Sequence, residues 1–300
     1  MKVEYATPTN QAIPPKTAAA RPGRWRIFYR KLRKNKLAMV GGFIVVFYIA
    51  IALLAPLIAP HDPYAIDLVG KLKPPSAEHW MGTDDKGRDV LSRLLYGTRL
   101  SMSVGFVAVF IGAFFGIILG LLAGYYGKWV DTVISRVIDV LLAFPGILLS
   151  LAIVSALGPS LFNVMIAVGV FSIPVFARIV RGSTLTVKKL EYIDAIRSLG
   201  ASDFTIIFKH IFPNILSPII VQATMRLATA ILSAAGLSFL GLGAQPPLPE
   251  WGAMLSNGRD FLFTAPYLAM FPGLAISTLV LGFNIFGDGL RDALDPRMKQ

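Results

Sequence analysis

Residues 190–214 read LEYIDAIRSLGASDFTIIFKHIFPN and lie between two strongly apolar runs. The stretch carries charges of both signs and a single glycine. Leu190, Ile193, Ile196 and Leu199 recur at every third residue, which on a helix makes one slowly drifting apolar stripe. Glu191, Asp194, Arg197 and Ser198 fall on other faces. Gly200 follows at once, where a helix commonly ends in a left-handed residue. Ser202 can cap a second helix, and Asp203 suits its positive N-terminal end. Phe204, Ile207, Phe208 and Ile211 then repeat at i, i+3, i+4 and i+7. Pro213 is expected to end or kink this second piece. The pattern predicts two short amphipathic helices joined by a glycine turn at a membrane face. Two readings fit: an interfacial hairpin that connects two spans, or a docking element for a soluble partner.

The membrane is implied by composition. The 300 residues are 55% hydrophobic and 15% charged, with mean hydropathy +0.64. A soluble domain carries about 25% charged residues. The absence of cysteine excludes disulfides and thiolate metal sites. His61, His79 and His210 are widely scattered along the chain, so no His-based metal site is expected. Residues 1–36 hold ten of the 29 Lys/Arg and one of the 17 Asp/Glu. Such an arm reads as a positive-inside anchor. A nucleic-acid surface would need basic and aromatic residues interleaved on a folded face, so no nucleic-acid partner is expected. Residues 1–22 are rich in Pro, Ala and Thr and are expected to be poorly ordered. RWRIFYRKLRKNK suits either an amphipathic helix on the lipid surface or a basic tether.

Run length proposes about six spans: Leu37–Ala59, Leu100–Tyr125, Val137–Leu157, Leu161–Val180, Ile215–Leu242 and Tyr267–Gly287. The first exceeds the 7–15-residue apolar core of a secretory signal and is read as a retained span. Lys/Arg placement puts the N-terminus inside, and an even number of spans returns the C-terminus there, so Leu190–Asn214 faces the cytoplasm. GTDDKGRDVLSRLLYGTRLS then lies outside, as a receptor contact or gate lid, or as a helix lying on the membrane with Val90, Leu91, Leu94 and Leu95 down. Gly105, Gly112, Gly116 and Gly120 share nearly one face of the second span, and Gly116–Gly120 matches the GxxxG pattern of close helix contact. Arg226 lies near mid-membrane, where a charge costs at least about 2.5–3.5 kcal/mol and should face a cavity or partner. Gln222 sits one turn earlier. Arg226 either borders a translocation path and favours an anionic group, or pairs with an acid on a partner subunit.

The spacing Asp194-Ala195-Ile196-x3-Gly200-x12-Pro213 resembles the EAA loop of ABC-importer permeases. Asp194 stands for the usual Glu, Ile196 for the second Ala, His210 for an Ile and Phe212 for a Leu. RKNKLAMVG, MGTDDKGRDVLSRLLYGTRLS, LSFLGLGAQPPLPEWGAML and GDGLRDALDPRMKQ likewise resemble the C-type permease of dipeptide/oligopeptide importers, so the likeness covers about 30–300. It implies an all-α, type I ABC importer permease fold in the bacterial cytoplasmic (inner) membrane. It divides the chain into a basic arm (1–36), a first span and external loop (37–99), a permease core (100–290) with its coupling loop at 188–214, and a tail (291–300).

The resemblance further implies a coupling role for Asp194, Ala195, Gly200 and Pro213, with Asp194 as the charge contact. It implies a homologous second permease, two cytoplasmic ATPases, an extracytoplasmic solute-binding protein and a peptide substrate. Family members often carry an acid near 233–235, and this chain has none. No GxxxxGK[ST] loop occurs, so ATP and Mg are expected on the ATPase partners, with no cofactor and no catalytic residue here. Nickel chelates or glutathione are alternative solutes. A secondary transporter or channel subunit is the rival class, but it would show inverted repeats and paired intramembrane acids, and neither is seen.

Overall fold

The structure, a computed structural model, describes residues 24–294. The expectation for 1–22 therefore lies outside the described residues, as does the end of the tail. Within the basic stretch, α1 (Arg24–Lys34) is helical, and Asn35 caps α2 (Lys36–Ile58) by accepting from the Ala38 amide at 3.1 Å.

The spans are α2, α3 (Val90–Tyr126), α6 (Leu161–Lys188), the helix Asp203–Phe239 and α11 (Tyr267–Leu294). Each is long and apolar enough to cross a bilayer. The expected third span, Val137–Leu157, is not one straight helix. It is divided between α4 (Lys128–Ala143) and α5 (Gly146–Leu157), which meet at 91°. The cause is Pro145. A residue before proline is driven out of the helical region, and Phe144 is extended (φ −88°, ψ 136°). The Phe171 ring of α6 fills the space beside Gly146 that any Cβ would need, so the elbow is also packed in place. Asp131 and Asp139 of α4 pair with Arg181 and Arg178 of α6, the latter at 3.1 Å.

The largest helix contact joins α3 to α6. It is a ladder of glycines on α3 facing residues spaced by four on α6. A Cβ on Gly116, Gly120 or Gly124 would fall 2.5, 2.6 or 2.7 Å from the Cβ of Phe176, Val180 or Thr184. Backbones can approach this closely only without side chains between them. The expected contact of Gly116 and Gly120 is thus present and runs one turn further than the motif.

The second span also begins earlier than its hydropathy indicates. α3 is 37 residues long, about 55 Å, and its first turns carry Ser92, Arg93 and Thr98 buried in protein. GTDDKGRDVLSRLLYGTRLS is partly rooted in the protein: of Val90, Leu91, Leu94 and Leu95, Val90 is fully buried and the other three are half-buried. Asp84 takes Arg88 Nε at 2.7 Å and Arg93 Nε at 3.4 Å, and Asp89 caps α3 through the Ser92 amide. Above α3, α10 (Trp251–Gly258) wedges its fully buried Trp251 between helices, with Nε1 donating to Leu94 O at 3.0 Å.

Candidate functional site: the elbow around Gly200

α6 ends at Lys188, and α7 (Glu191–Ser198) follows and packs on the segment Ile206–Ile211. Gly200 has φ +83°. Its amide donates to Arg197 O at 2.9 Å, and the Ala201 amide to Ile196 O at 3.3 Å. These two bonds form a Schellman C-cap, and the glycine is there because the left-handed backbone penalises a Cβ. Ser202 then caps α8 (Asp203–Thr205) by accepting from the Thr205 amide at 3.4 Å. The expected pair of helices joined by a glycine turn is therefore present.

Pro213 does not end the second helix. α8 continues through a π-helical segment (Ile206–Ile211) into α9 (Phe212–Phe239) without a break. Proline lacks the N–H that an α-helix would need there. The register widens instead, with the Phe212 amide bonding to Ile207 O, five residues back. Asn214 Nδ2 donates to the carbonyl of His210 at 2.6 Å and to Tyr192 Oη at 3.1 Å. The elbow is thereby continuous with a membrane-spanning helix.

One face of the elbow is rooted in the bundle. Ile193, Ile206, Ile207, Ile211 and Ile215 pack with Leu121, Tyr125 and Val180. Tyr125 Oη donates to Asp203 Oδ1 at 2.6 Å, and Lys188 Nζ donates to the Tyr125 carbonyl. The opposite face packs on no other element among the described residues. Leu199 is 86% and Phe204 70% exposed, and the Phe204 ring lies tilted against exposed Phe208 with centroids 4.5 Å apart. Of the expected stripe only Ile193 and Ile196 turn inward, and Leu190 and Leu199 face out. Asp194, Ala195 and Pro213 are exposed. Asp194 accepts from Arg197 Nη1 at 3.1 Å, so the carboxylate carries only a local, solvated partner.

Arg226 is not among the residues that line the cavity beside Gln222. Gln222 lines a cavity of about 580 Å³ with Ile179 of α6, Ser217, Pro218 and Met225 of α9, and Arg291 of α11. Arg226 is at the middle of α9, outside that lining. Its guanidinium stands 5.2 Å from the centroid of the Phe171 ring, and its Nε is buried without a hydrogen-bond partner. No carboxylate among the described residues pairs with it.

Three features were not read from sequence. The Tyr125–Asp203 bond joins residues 78 apart, with no local signal. The α4–α5 elbow could have been found by weighting Phe144-Pro145-Gly146 over the apolar run. His61 and His79, set aside as scattered, lie with ring centroids 4.8 Å apart, because the chain between them folds back on itself.

Residues 116–300 match the model for the binding-protein-dependent transport system inner membrane component, and residues 23–75 that for the N-terminal TM domain of oligopeptide transport permease C. The chain belongs to this permease family. It is a multi-pass inner membrane protein. It is 51% identical to the dipeptide transport system permease protein DppC of Alkalihalophilus pseudofirmus over 100% of both chains. It is 53% identical to the glutathione transport system permease protein GsiD of Escherichia coli O157:H7 over 92% of this chain and 91% of that one. Among solved structures, the inward-facing MetNI methionine ABC transporter superposes with TM-score 0.54 at 21% identity, covering 67% of this chain and 96% of that one. A second, an amino acid ABC transporter with histidines, gives 0.52 at 17%, covering 66% and 92%. These two likenesses show that the permease shares the ABC-importer fold.

Proposed function

We propose that this permease is one half of the translocation path of an ATP-driven importer of short peptides, and that the elbow around Gly200 is the surface its cytoplasmic ATPases grip. The observation that carries the reading is the two-faced elbow. Its inner face is locked to α3 and α9, while Leu199, Phe204, Phe208 and Asp194 face solvent. Exposed apolar groups beside a charge suit a protein groove, and rigid continuity with α9 carries its motion into the membrane. Both termini are then cytoplasmic, consistent with the basic arm. A second permease completes the path, an external solute-binding protein delivers the peptide, and ATP and Mg stay on the ATPases. Asp194, one methylene shorter than Glu, makes the charge contact, with Ala195 and Gly200 keeping the elbow narrow and Pro213 marking its junction with α9.

The dipeptide reading rests on a relative at 51% identity over the whole of both chains. Relatives named for glutathione, at 53% over 92% of this chain, favour glutathione as the second reading. Arg226, cationic and without an acid among the described residues, borders the path and favours a carboxylate, with Gln222 one turn toward the cavity. The test is ATP-driven uptake by the reconstituted four-subunit complex and its receptor. Wild-type complexes should accumulate a labelled dipeptide and retain the ATPases on purification. Asp194→Ala combined with Leu199→Ser should release the ATPases and abolish uptake. Full uptake by that double variant sinks the coupling role, and accumulation of glutathione but no dipeptide moves the substrate to the second reading.

A further inference from the structure

At the end of α3 opposite the elbow, three potential ligands from three separate parts of the chain converge. His61 lies just after α2, His79 in the following connection, and Asp89 is the N-cap of α3. One ligand atom from each lies within 4.8 Å of the others. We propose that His61, His79 and Asp89 form a binding site for one divalent transition-metal ion of the borderline class that Zn²⁺ represents.

The two oxygens of Asp89 have separate tasks. Oδ2 is occupied by the Ser92 amide and hydroxyl, both at 2.7 Å, and the same hydroxyl accepts from the His61 amide at 3.0 Å. This fixes the carboxylate and ties it to the His61 backbone, an outer layer of the kind that orients metal ligands. Oδ1 is left to face the imidazoles, 2.9 Å from His79 Nδ1 and 3.8 Å from His61 Nδ1. The His61 nitrogen is buried and has no hydrogen-bond partner. A buried polar atom left unpaired is costly, and 3.8 Å is too long for a bond to Asp89. A hydrogen bond between His79 and Asp89 alone leaves His61 unexplained, whereas an ion between the three satisfies it.

Geometry and ligand type set the ion. Zinc bonds to nitrogen and oxygen are about 2.0–2.2 Å long, which places tetrahedral ligand atoms about 3.3 Å apart. The two Asp89 distances bracket that value, and the three ligand atoms lie within 4.8 Å of one another, so an ion would draw the two imidazoles closer together. Two imidazoles and one carboxylate suit Zn²⁺, Ni²⁺ or Cu²⁺ and disfavour Ca²⁺ and Mg²⁺, which take oxygen shells. His61 is partly exposed, leaving the fourth position open to water or a group on a partner. Bound there, the ion staples the segment after α2 to the first turn of α3.

The chain has only one other histidine, His210, which lies on the elbow and serves as an internal control. The full-length chain, purified without a polyhistidine tag and placed in lipid nanodiscs, is titrated with Zn²⁺ by calorimetry and with Co²⁺ by visible absorption. The expected result is one Zn²⁺ per chain and ligand-field bands of four-coordinate Co²⁺, with no response to Ca²⁺. His61→Gln and His79→Gln should each weaken Zn²⁺ binding by at least about tenfold, while His210→Gln binds as wild type. His61→Gln, altered at a partly exposed position, should also keep the metal-free unfolding midpoint but lose the upward shift that Zn²⁺ gives the wild type. Absence of Zn²⁺ binding by the wild type, binding undiminished in both His61→Gln and His79→Gln, or an equal response to Ca²⁺ overturns the proposal.

Discussion

The hydroxyl of Tyr125, at the last turn of α3, donates a 2.6 Å hydrogen bond to Asp203, the first residue of α8. The bond joins the end of one spanning helix to the elbow that begins another. Arg197 of α7 stands 5.9 Å from the centroid of the same tyrosine ring, so three elements meet on one side chain.

Tyr125→Phe should therefore loosen the elbow without unfolding the bundle. A hydrogen bond to a charged group contributes about 1.5–3 kcal/mol. The exposure of Asp203 argues for the lower end. The variant should keep its spans and its ATPase partners but show faster amide hydrogen exchange across 199–206. It should also import less solute for each ATP hydrolysed. Unchanged exchange in that segment would show that the bond does not hold the elbow.

At Gly200 the constraint is conformational, not spatial. A Cβ there would meet nothing within 4 Å, yet φ is +83°. Gly200→Ala should cost about 1–2 kcal/mol of local stability, the penalty of a left-handed backbone. Gly200→Asn should cost less, since Asn tolerates that region. Exchange rates at the Ala201 amide, which closes the turn onto Ile196 O, report the difference. Equal protection in all three proteins would remove the backbone argument.

The α3–α6 ladder carries the opposite kind of constraint. Gly120→Leu must push α3 away from Val180 along a seam where a first Cβ already falls at 2.6 Å. Overpacking of this kind costs about 1–3 kcal/mol or more. The yield of folded protein in mild detergent should fall sharply. Gly182→Ala, on α6 but with open space around it, should leave the yield unchanged. A normal yield from Gly120→Leu would mean that the two helices are not in contact.

What the sequence could show follows from the range of the interactions. The Schellman turn is local: Ile196, Gly200 and Ala201 lie within six consecutive residues, so spacing alone predicted a glycine turn there. Apolar run length located the spans because a bilayer imposes a length. It failed at Val137–Leu157, where composition is uniform but Pro145 redirects the backbone. It also failed at the start of α3, because Arg93 is buried by loop carbonyls, Pro63 O at 2.9 Å and Pro247 O at 3.4 Å, that lie far away in the chain. The meeting of His61 with His79 is equally non-local. Periodicity carries no information about which loops fold back on one another.

Arg226 permits a charge-selective test. Its guanidinium faces an aromatic ring and no carboxylate of the described chain, and under the proposed function it meets a peptide carboxylate. Arg226→Gln should reduce uptake of a dipeptide with a free C-terminus by about tenfold, corresponding to about 1.4 kcal/mol. Uptake of the C-terminally amidated form should hardly change. Arg226→Lys should fall between. Equal losses for both peptides, with normal assembly, would assign Arg226 to the packing of α9 on Phe171 instead.

Glu250 offers a pH signature at the opposite end of the bundle. It is fully buried and caps α10, Oε2 accepting from the Ala253 amide at 2.9 Å and Oε1 from Ser101 Oγ at 3.2 Å. Burial pushes its carboxyl above the ordinary range, opposed by the backbone amides of Gly252 and Ala253. The folded state thus holds the proton more tightly than the unfolded state does. Its stabilising contribution is complete below the unfolded value, about 4.3, and is lost as pH rises through the folded value. Glu250→Gln keeps the side-chain oxygen as a cap but has no proton to lose. Its unfolding midpoint should exceed that of the wild type above the folded pKa and lack the decline with rising pH that the wild type shows. Parallel pH profiles of the two proteins would mean that the buried carboxyl titrates as it does in water.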